Sequence, residues 1–432
     1  MEKKQIEAED RPLIVVPKSK RTIFFIILYG LFMIDFIARV GINAIFPVIQ
    51  GDLGLNDTEV GMMGSVVLLG MAALVLPISF LGEKYSPKKA ISISALIWSV
   101  GTLLSGMASN FSILLASRFF VGTGNAAYAP LSNSLITSMY SKKDWGKKIG
   151  IYNTAMTLGM ALGSIVFANL ANSFGWRMAF YAVGIISILL TIASLALPDP
   201  KKILDAQVKN SKKVEENNAP KVTVKAALSD VVKNKSLIGV CLGAGLSSMV
   251  LQGSASWYSI YFVREMNYSV GFAATLLSII SLLAALGYPI GGTIMDKWYP
   301  YDKRCRVLLP SIALIVGVVC FVAGFYFRIL PLLFIGGICL TTATTSYHVA
   351  TQELVPSWFK SVSYGVYVLV VQFFGAVGPL LIGTMSEAFG LTMALTLVQL
   401  FLALAVIIFL LTSRAYIKDF NRAREIEEAA GV

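Results

Sequence analysis

Five ionisable side chains interrupt stretches that are otherwise apolar: Asp35, Arg39, Arg118, His348 and, toward a stretch end, Glu353. A charge at the centre of a bilayer costs about 3 kcal/mol or more unless it faces a cavity or a partner, so each marks a position with a task. Asp35 and Arg39 are one helical turn apart and can share a face and partly neutralise each other. Arg118 has no acid at such a spacing, which leaves the three groups with a net charge of +1. Arginine stays protonated in such surroundings, and its planar fork matches a carboxylate or phosphate through two parallel N–H bonds. The chemistry expected is reversible capture of an anion by Arg39 and Arg118, with Asp35 carrying a proton or exchanging partners. The structural alternative has Asp35 bridge both arginines to join their helices. His348, the only histidine, lies in the hydroxyl-rich run TTATTSYHVATQE, where it can exchange a proton or hydrogen-bond a substrate, or simply pack with satisfied nitrogens.

The elements that must position these groups follow from composition. The 432 residues are 56% hydrophobic and 14% charged, too few charges for a soluble globular chain. Apolar stretches run 22–49, 59–81, 90–108, 112–139, 149–173, 178–197, 236–262, 269–295, 306–326, 331–355, 362–388 and 391–413. Unbroken apolar runs of about 20 residues without period-two alternation fit transmembrane helices rather than a barrel. The fold class expected is an all-α membrane protein of twelve transmembrane helices in two six-helix bundles, 22–197 and 236–413. A polar linker, 198–235, separates them, and tails of 1–21 and 414–432 flank them. At about 1.5 Å per residue, Arg39 and Arg118 lie about 15 and 9 Å from the outer helix ends, and Asp35 and Asn125 about 20 Å.

The formal charge of +12 would suggest nucleic acid in a soluble protein. Here 31 of the 36 basic residues fall on one side of the predicted helices, and only Arg177, Arg264 and Arg328 on the other. That asymmetry predicts both termini on the cytoplasmic side of the cell membrane and removes the need for a nucleic-acid partner. Cys241, Cys305, Cys320 and Cys339 form no CxxC pair, and one histidine limits metal chemistry, so no cofactor or metal is expected. No HExxH or GxSxG motif supports an enzyme.

The two halves repeat. At an offset of 215, Gly150, Tyr152, Gly163, Phe174, Gly175, Met178 and Ala179 match Gly365, Tyr367, Gly378, Phe389, Gly390, Met393 and Ala394. Internal repeats of this kind accompany transporters built from two halves. The turns SFLGEKYSPKK and GTIMDKWYPYDKR echo each other. These residues resemble the major facilitator superfamily over nearly the whole chain. Gly82, Glu83, Lys84 and Lys88 sit like its loop motif, with Gly292, Asp296 and Lys297 as the second copy, and the resemblance implies a gating role for both. The first copy departs from the motif at Ser79, Ser86 and Pro87 but keeps an acid followed by a base. Arg118, Gly122 and Gly124 are similar to its RxxxGxG segment.

Within the family the arrangement is similar to the anion:cation symporter branch, carriers of sugar acids and dicarboxylates. Ala38 and Asn125 stand where that branch often carries carboxylates, so coupling is expected to rest on Asp35, with H⁺ as the ion and Na⁺ as the other possibility. Trp257, Tyr258 and Tyr261 resemble substrate-facing aromatics of the same branch, and an interfacial aromatic belt is the plain alternative. Tyr128, Gln252 and Gln372 complete the candidate binding set. LGEKYSPKK and GTGNAAYAP share the flavour of the spinster-like lipid transporters, so the competing expectation is an exporter of lysolipids or amphipathic compounds. The expected partners are a small anionic substrate, the coupling ion and the lipid bilayer, with the protein monomeric.

Overall fold

The computed structural model describes residues 17–84, 86–126, 128–196, 234–356 and 359–429; at some helical positions, among them 76–84, only the backbone is described. Most of the predicted linker, most of the N-terminal tail and the last three residues lie outside the described set. The described chain is nearly all helical: α1 (Lys18–Val40), a 3-10 turn (Gly41–Ile45), α2 (Phe46–Leu53), α3 (Asp57–Lys84), α4 (Pro87–Gly106), α5 (Phe111–Asn125), α6 (Tyr128–Met139), α7 (Lys142–Phe174) and α8 (Trp176–Ala196). After the linker come α9 (Lys235–Arg264), α10 (Val270–Ala285), α11 (Gly287–Trp298), α12 (Cys305–Tyr326), α13 (Leu330–Glu353), α14 (Lys360–Phe389), α15 (Leu391–Val398) and α16 (Leu400–Ala429). Eleven spans among the described residues are long and apolar enough to cross a membrane. The stretch predicted at 112–139 is two helices, α5 and α6, each too short to count alone.

Helix starts follow local chemistry. Asn110, Asn234 and Ser269 accept from the backbone N–H three residues on, and Ser86 does so ahead of Pro87. Asn56 and Glu59 form a reciprocal capping box at the start of α3. Helices α7 and α14 end at Gly175 and Gly390, whose φ angles of 85° and 83° suit glycine alone. These two positions were paired by the sequence repeat, so the halves share a helix-ending device.

The chain divides into two compact units. Unit one is Met1–Leu53 with Leu69–Asn217; unit two is Gly54–Leu68 with Asn218–Val432. The first turns of α3 therefore belong with unit two and its remainder with unit one. In unit one, α1 packs on α7 through Gly163, where a Cβ would stand 3.0 Å from Ile37 Cα. In unit two, α9 packs on α14 through Gly378, where a Cβ would overlap the Met249 carbonyl. Small residues thus permit the same backbone approach in both halves. Helices α4 and α8 are joined by hydroxyls: Ser99 Oγ lies 2.6 Å from Ser187 Oγ, which also accepts from Trp98 Nε1, and Ser92 pairs with Ser194. Around them the unit-one core contains Phe32, Trp98, Tyr128 and Tyr152, all buried.

Candidate binding site

Helix α1 presents Asp35 and Arg39, and α5 presents Arg118 and Asn125. Asp35, Arg118 and Asn125 are 4%, 1% and 5% exposed. On α5, Gly124 sits against the α4 backbone, so α5 packs closely on α4, and the long Arg118 side chain spans the remaining distance to the α1 backbone. Arg118 donates from Nη1 to Ala38 O at 3.3 Å and from Nη2 to Arg39 O at 3.4 Å. Arg39 donates from Nη1 to Met71 Sδ at 3.5 Å and stacks over the Phe36 ring, 4.3 Å from its centroid.

Neither guanidinium touches an anion. Among the described residues no ion pair within 4.0 Å involves Asp35, Arg39 or Arg118. The expected neutralising pair between Asp35 and Arg39, and the alternative bridge to both arginines, are therefore not formed as contact ion pairs. The reason is geometric: Arg39 extends toward α3 and Phe36, while Arg118 reaches the α1 backbone beside the carboxylate rather than the carboxylate itself. Carbonyl contacts of 3.3 to 3.4 Å are long for a guanidinium, whose bonds to carboxylates run about 2.7–2.9 Å. Among the described residues nine buried side-chain N or O atoms lack a hydrogen-bond partner, and eight belong to unit one: Asp35 Oδ1, Arg39 Nε, Arg118 Nε, both Asn125 atoms, Ser132 Oγ, Asn133 Oδ1 and the Tyr152 hydroxyl. Buried polar groups are nearly always paired, so this concentration marks the candidate site.

Tyr152 is a residue that the sequence analysis gave no role, although the repeat singled it out. Its ring stacks on Phe32 with centroids 4.5 Å apart and planes within 5°. Tyr128, a candidate binding residue, donates its hydroxyl to Leu28 O at 3.0 Å and abuts Trp98 edge-on, so in this arrangement it ties α6 to α1.

In unit two the three aromatics of α9 are interior. Trp257 donates to Pro379 O, Tyr261 donates to Phe325 O, and Tyr258 stacks on Phe262 and Phe325. Trp257 and Tyr261 are fully buried and Tyr258 is 6% exposed, so these side chains hold α9 to α12 and α14 instead of forming an interfacial belt. His348 is exposed, with Nδ1 3.4 Å from the Tyr364 hydroxyl and its ring edge-on to Tyr367. Gln252 and Gln372 are half-buried on α9 and α14.

Of the loop motif, the side chains of Gly82, Glu83 and Lys84 lie outside the described set. Lys88 donates to Leu195 O at 2.8 Å, a cation at the carbonyl end of α8. On α11, Gly292 has open space around it, and Asp296 and Lys297 are exposed and form no ion pair among the described residues. Two ion pairs that spacing did not reveal join distant helices of unit two. Arg306 holds Glu353 through two bonds of 2.7 and 3.1 Å and lies over Tyr299. Arg264 holds Asp57 through bonds of 2.7 and 2.8 Å, with Ser386 donating to the same carboxylate at 2.6 Å. Their partners are 47 and 207 residues apart, so only the fold brings them together.

Comparison with known proteins places this geometry in context. The sequence profile of the Major Facilitator Superfamily matches residues 28–379. Similar proteins include the probable L-galactonate transporter of Escherichia coli, 23% identical over 70% of this chain and 67% of that protein. The probable galactarate/D-glucarate transporter GudP of Bacillus subtilis is 26% identical over 65% and 67%. Protein spinster of Drosophila melanogaster is 24% identical over 82% of this chain and 60% of its own. Among solved structures, a bacterial homologue of the human lysosomal transporter spinster superposes with a TM-score of 0.82 at 22% identity, covering 94% of this chain and 99% of that one.

Proposed function

The chain belongs to the Major Facilitator Superfamily, and we propose that within it this protein is a secondary active carrier of a small organic anion, a carboxylate or sugar acid. It is a membrane transport protein and not an enzyme. The observation that carries the finer reading is the pair of arginines, Arg39 and Arg118, held in unit one on neutral partners with an unpaired Nε each. Such guanidiniums bind a carboxylate with a large gain, because the anion replaces long contacts to neutral groups by short charge-assisted ones. Relatives named for galactonate, galactarate and glucarate transport support the same class.

Asp35, buried and without an ion-pair partner among the described residues, is the group that carries the coupling proton; a sodium ion would have to sit beside two guanidiniums. Anion arrival and proton arrival each alter the charge balance around Asp35, so each ligand biases the same alternating-access equilibrium through its differential affinity for the two states. The basic residues on one side support a cell-membrane orientation with both termini cytoplasmic. Protein spinster matches 82% of this chain, against 70% for the probable L-galactonate transporter, which favours a lysolipid phosphate as the second reading, held by the same arginines.

A thermal-shift titration of the purified protein with galactonate, glucarate and lysophosphatidate separates the two, since a ligand of the folded state raises the melting temperature. Stabilisation by a sugar acid that lacks any apolar tail is the expected result. Stabilisation by lysophosphatidate alone selects the lipid reading, and no response to either anion overturns the site.

A further inference from the structure

Where α1 and α7 begin, at one end of unit one, the described side chains include the cations Lys20, Arg21, Lys147 and Lys148 and the acid Asp144. A basic bias on one side of the membrane requires only that cations be present there. It does not require any two of them to converge, and here two do. The Arg21 guanidinium lies 4.8 Å from the centroid of the Tyr140 ring, and the Lys148 ammonium lies 4.9 Å from the same centroid and 5.2 Å from that of Phe25.

The ring between them is fixed. Tyr140 is 5% exposed, meets Phe25 edge-on with centroids 6.0 Å apart, and its carbonyl accepts from Trp145 Nε1 at 2.8 Å. A ring face attracts a cation without neutralising it. An acid was within reach, since Asp144 stands one turn before Lys148, the spacing at which an acid and a lysine pair along a helix. Asp144 instead accepts from the Ser141 hydroxyl at 3.0 Å, and among the described residues neither Arg21 nor Lys148 forms an ion pair. Arg21 donates to Met139 O at 3.4 Å, a long contact to a neutral group. Two like charges held beside one ring suit an anion that bridges them, and short charge-assisted bonds would then replace neutral contacts.

Their level along the helices selects the anion. The apolar spans open at Ser19 on α1 and at Asp144 on α7, so the cations stand where both helices enter the hydrocarbon, at the depth of lipid headgroups. On α7, Ile151, Leu158 and Leu162 share the face that follows Lys147 and Lys148 and are 40%, 42% and 43% exposed, an apolar stripe leading away from the charges. We propose that Arg21 and Lys148, beside Tyr140, bind the phosphate of an anionic phospholipid of the cytoplasmic leaflet, with an acyl chain along Ile151 and Leu158. Anionic lipids give that leaflet its negative surface potential, and each basic residue near it strengthens attachment. Arg21 precedes Arg39 by about 27 Å along α1, so this site is separate from the substrate arginines and does not depend on the anion-carrier reading.

The test is native mass spectrometry of the full chain in detergent, titrated with dioctanoyl phosphatidylglycerol, dioctanoyl phosphatidylcholine or glycerol 3-phosphate. The expected result is one phosphatidylglycerol held more tightly than phosphatidylcholine. Its half-saturation should rise roughly 30-fold in the double variant Arg21→Gln with Lys148→Gln, the loss expected of two basic residues at an anionic surface. The pair Arg414→Gln with Lys418→Gln, which removes two exposed cations of α16 and lowers the net charge equally, should leave it unchanged. An equal loss in both pairs, which diffuse charge would produce, overturns the proposal, as does no loss in the first pair. Displacement of the lipid by glycerol 3-phosphate at equal concentration reveals a site for soluble anions and overturns the assignment to lipid. Should the double variant not fold, Lys148→Met alone keeps a side chain of similar length without its charge. A weakening of about fivefold is then expected, and an unchanged half-saturation overturns the proposal equally.

Discussion

Replacing Arg118 with glutamine separates binding from folding at the candidate site. In the folded protein the guanidinium makes two contacts to neutral carbonyls, at 3.3 and 3.4 Å, and is 1% exposed. Losing two such bonds costs about 1–2 kcal/mol, and removing a buried charge that lacks a contact ion pair offsets it, so the melting temperature should shift little. The bound state loses more. A fork that makes two charge-assisted bonds to a carboxylate contributes about 3 kcal/mol beyond what an amide can replace, which is roughly 150-fold in affinity. The assay pairs thermal melting of the purified variant with uptake of labelled galactonate into proteoliposomes. Expected are near wild-type melting, loss of the galactonate-induced stabilisation and abolished accumulation. Arg118→Lys should recover only part of the affinity, because a point charge on a flexible stem does not reproduce the fork. Wild-type affinity in Arg118→Gln would refute the reasoning, since it would mean that the anion is held elsewhere.

Other outcomes follow from the same structure. Tyr261→Phe removes a buried bond to Phe325 O and should lower stability by about 1 kcal/mol while leaving the KM for substrate unchanged, as chemical denaturation and uptake kinetics would show. Gly378→Ala drives a Cβ into the Met249 carbonyl and should lower the melting temperature sharply, whereas Gly292→Ala, which meets open space, should leave it unchanged. Breaking the Asp57–Arg264 pair by Asp57→Asn should destabilise by about 1–2 kcal/mol, discounted for the half-exposed arginine; the swapped pair Asp57→Arg with Arg264→Asp should recover most of it, measured as a double-mutant cycle in thermal melts. Additivity in that cycle would show that the two side chains do not act together.

Much of the fold was legible before any coordinates. The helices follow from hydropathy, because a bilayer permits few backbone solutions and each needs a long apolar run, but hydropathy does not show that Gly54–Leu68 falls with the second compact unit rather than the first. The repeat of Gly163 with Gly378 and of Gly175 with Gly390 was equally legible, and the structure shows what it is for: the same close helix approach and the same helix stop in each half. The site was legible in part. Asp35, Arg39, Arg118 and Asn125 stood out because charge is expensive in hydrocarbon. For Trp257, Tyr258 and Tyr261 an aromatic run carries no sign of which way its helix is turned; the Trp257 indole and the Tyr261 hydroxyl are engaged inside unit two, and the Tyr258 ring stacks there.

By itself, then, the sequence determined a membrane-spanning helical chain with a sorted surface charge and a few costly polar groups at depth. Local composition suffices for that, because the bilayer acts on each segment separately. Only the tertiary structure decided which of those groups are already satisfied. Arg306 and Arg264 found carboxylates on other helices, Tyr128 and Trp257 found carbonyls, and Arg39, Arg118, Asp35 and Tyr152 were left with polar atoms unpaired. Partnership is a matter of a few ångströms between helices far apart in the chain, and neither spacing nor residue type contains that distance.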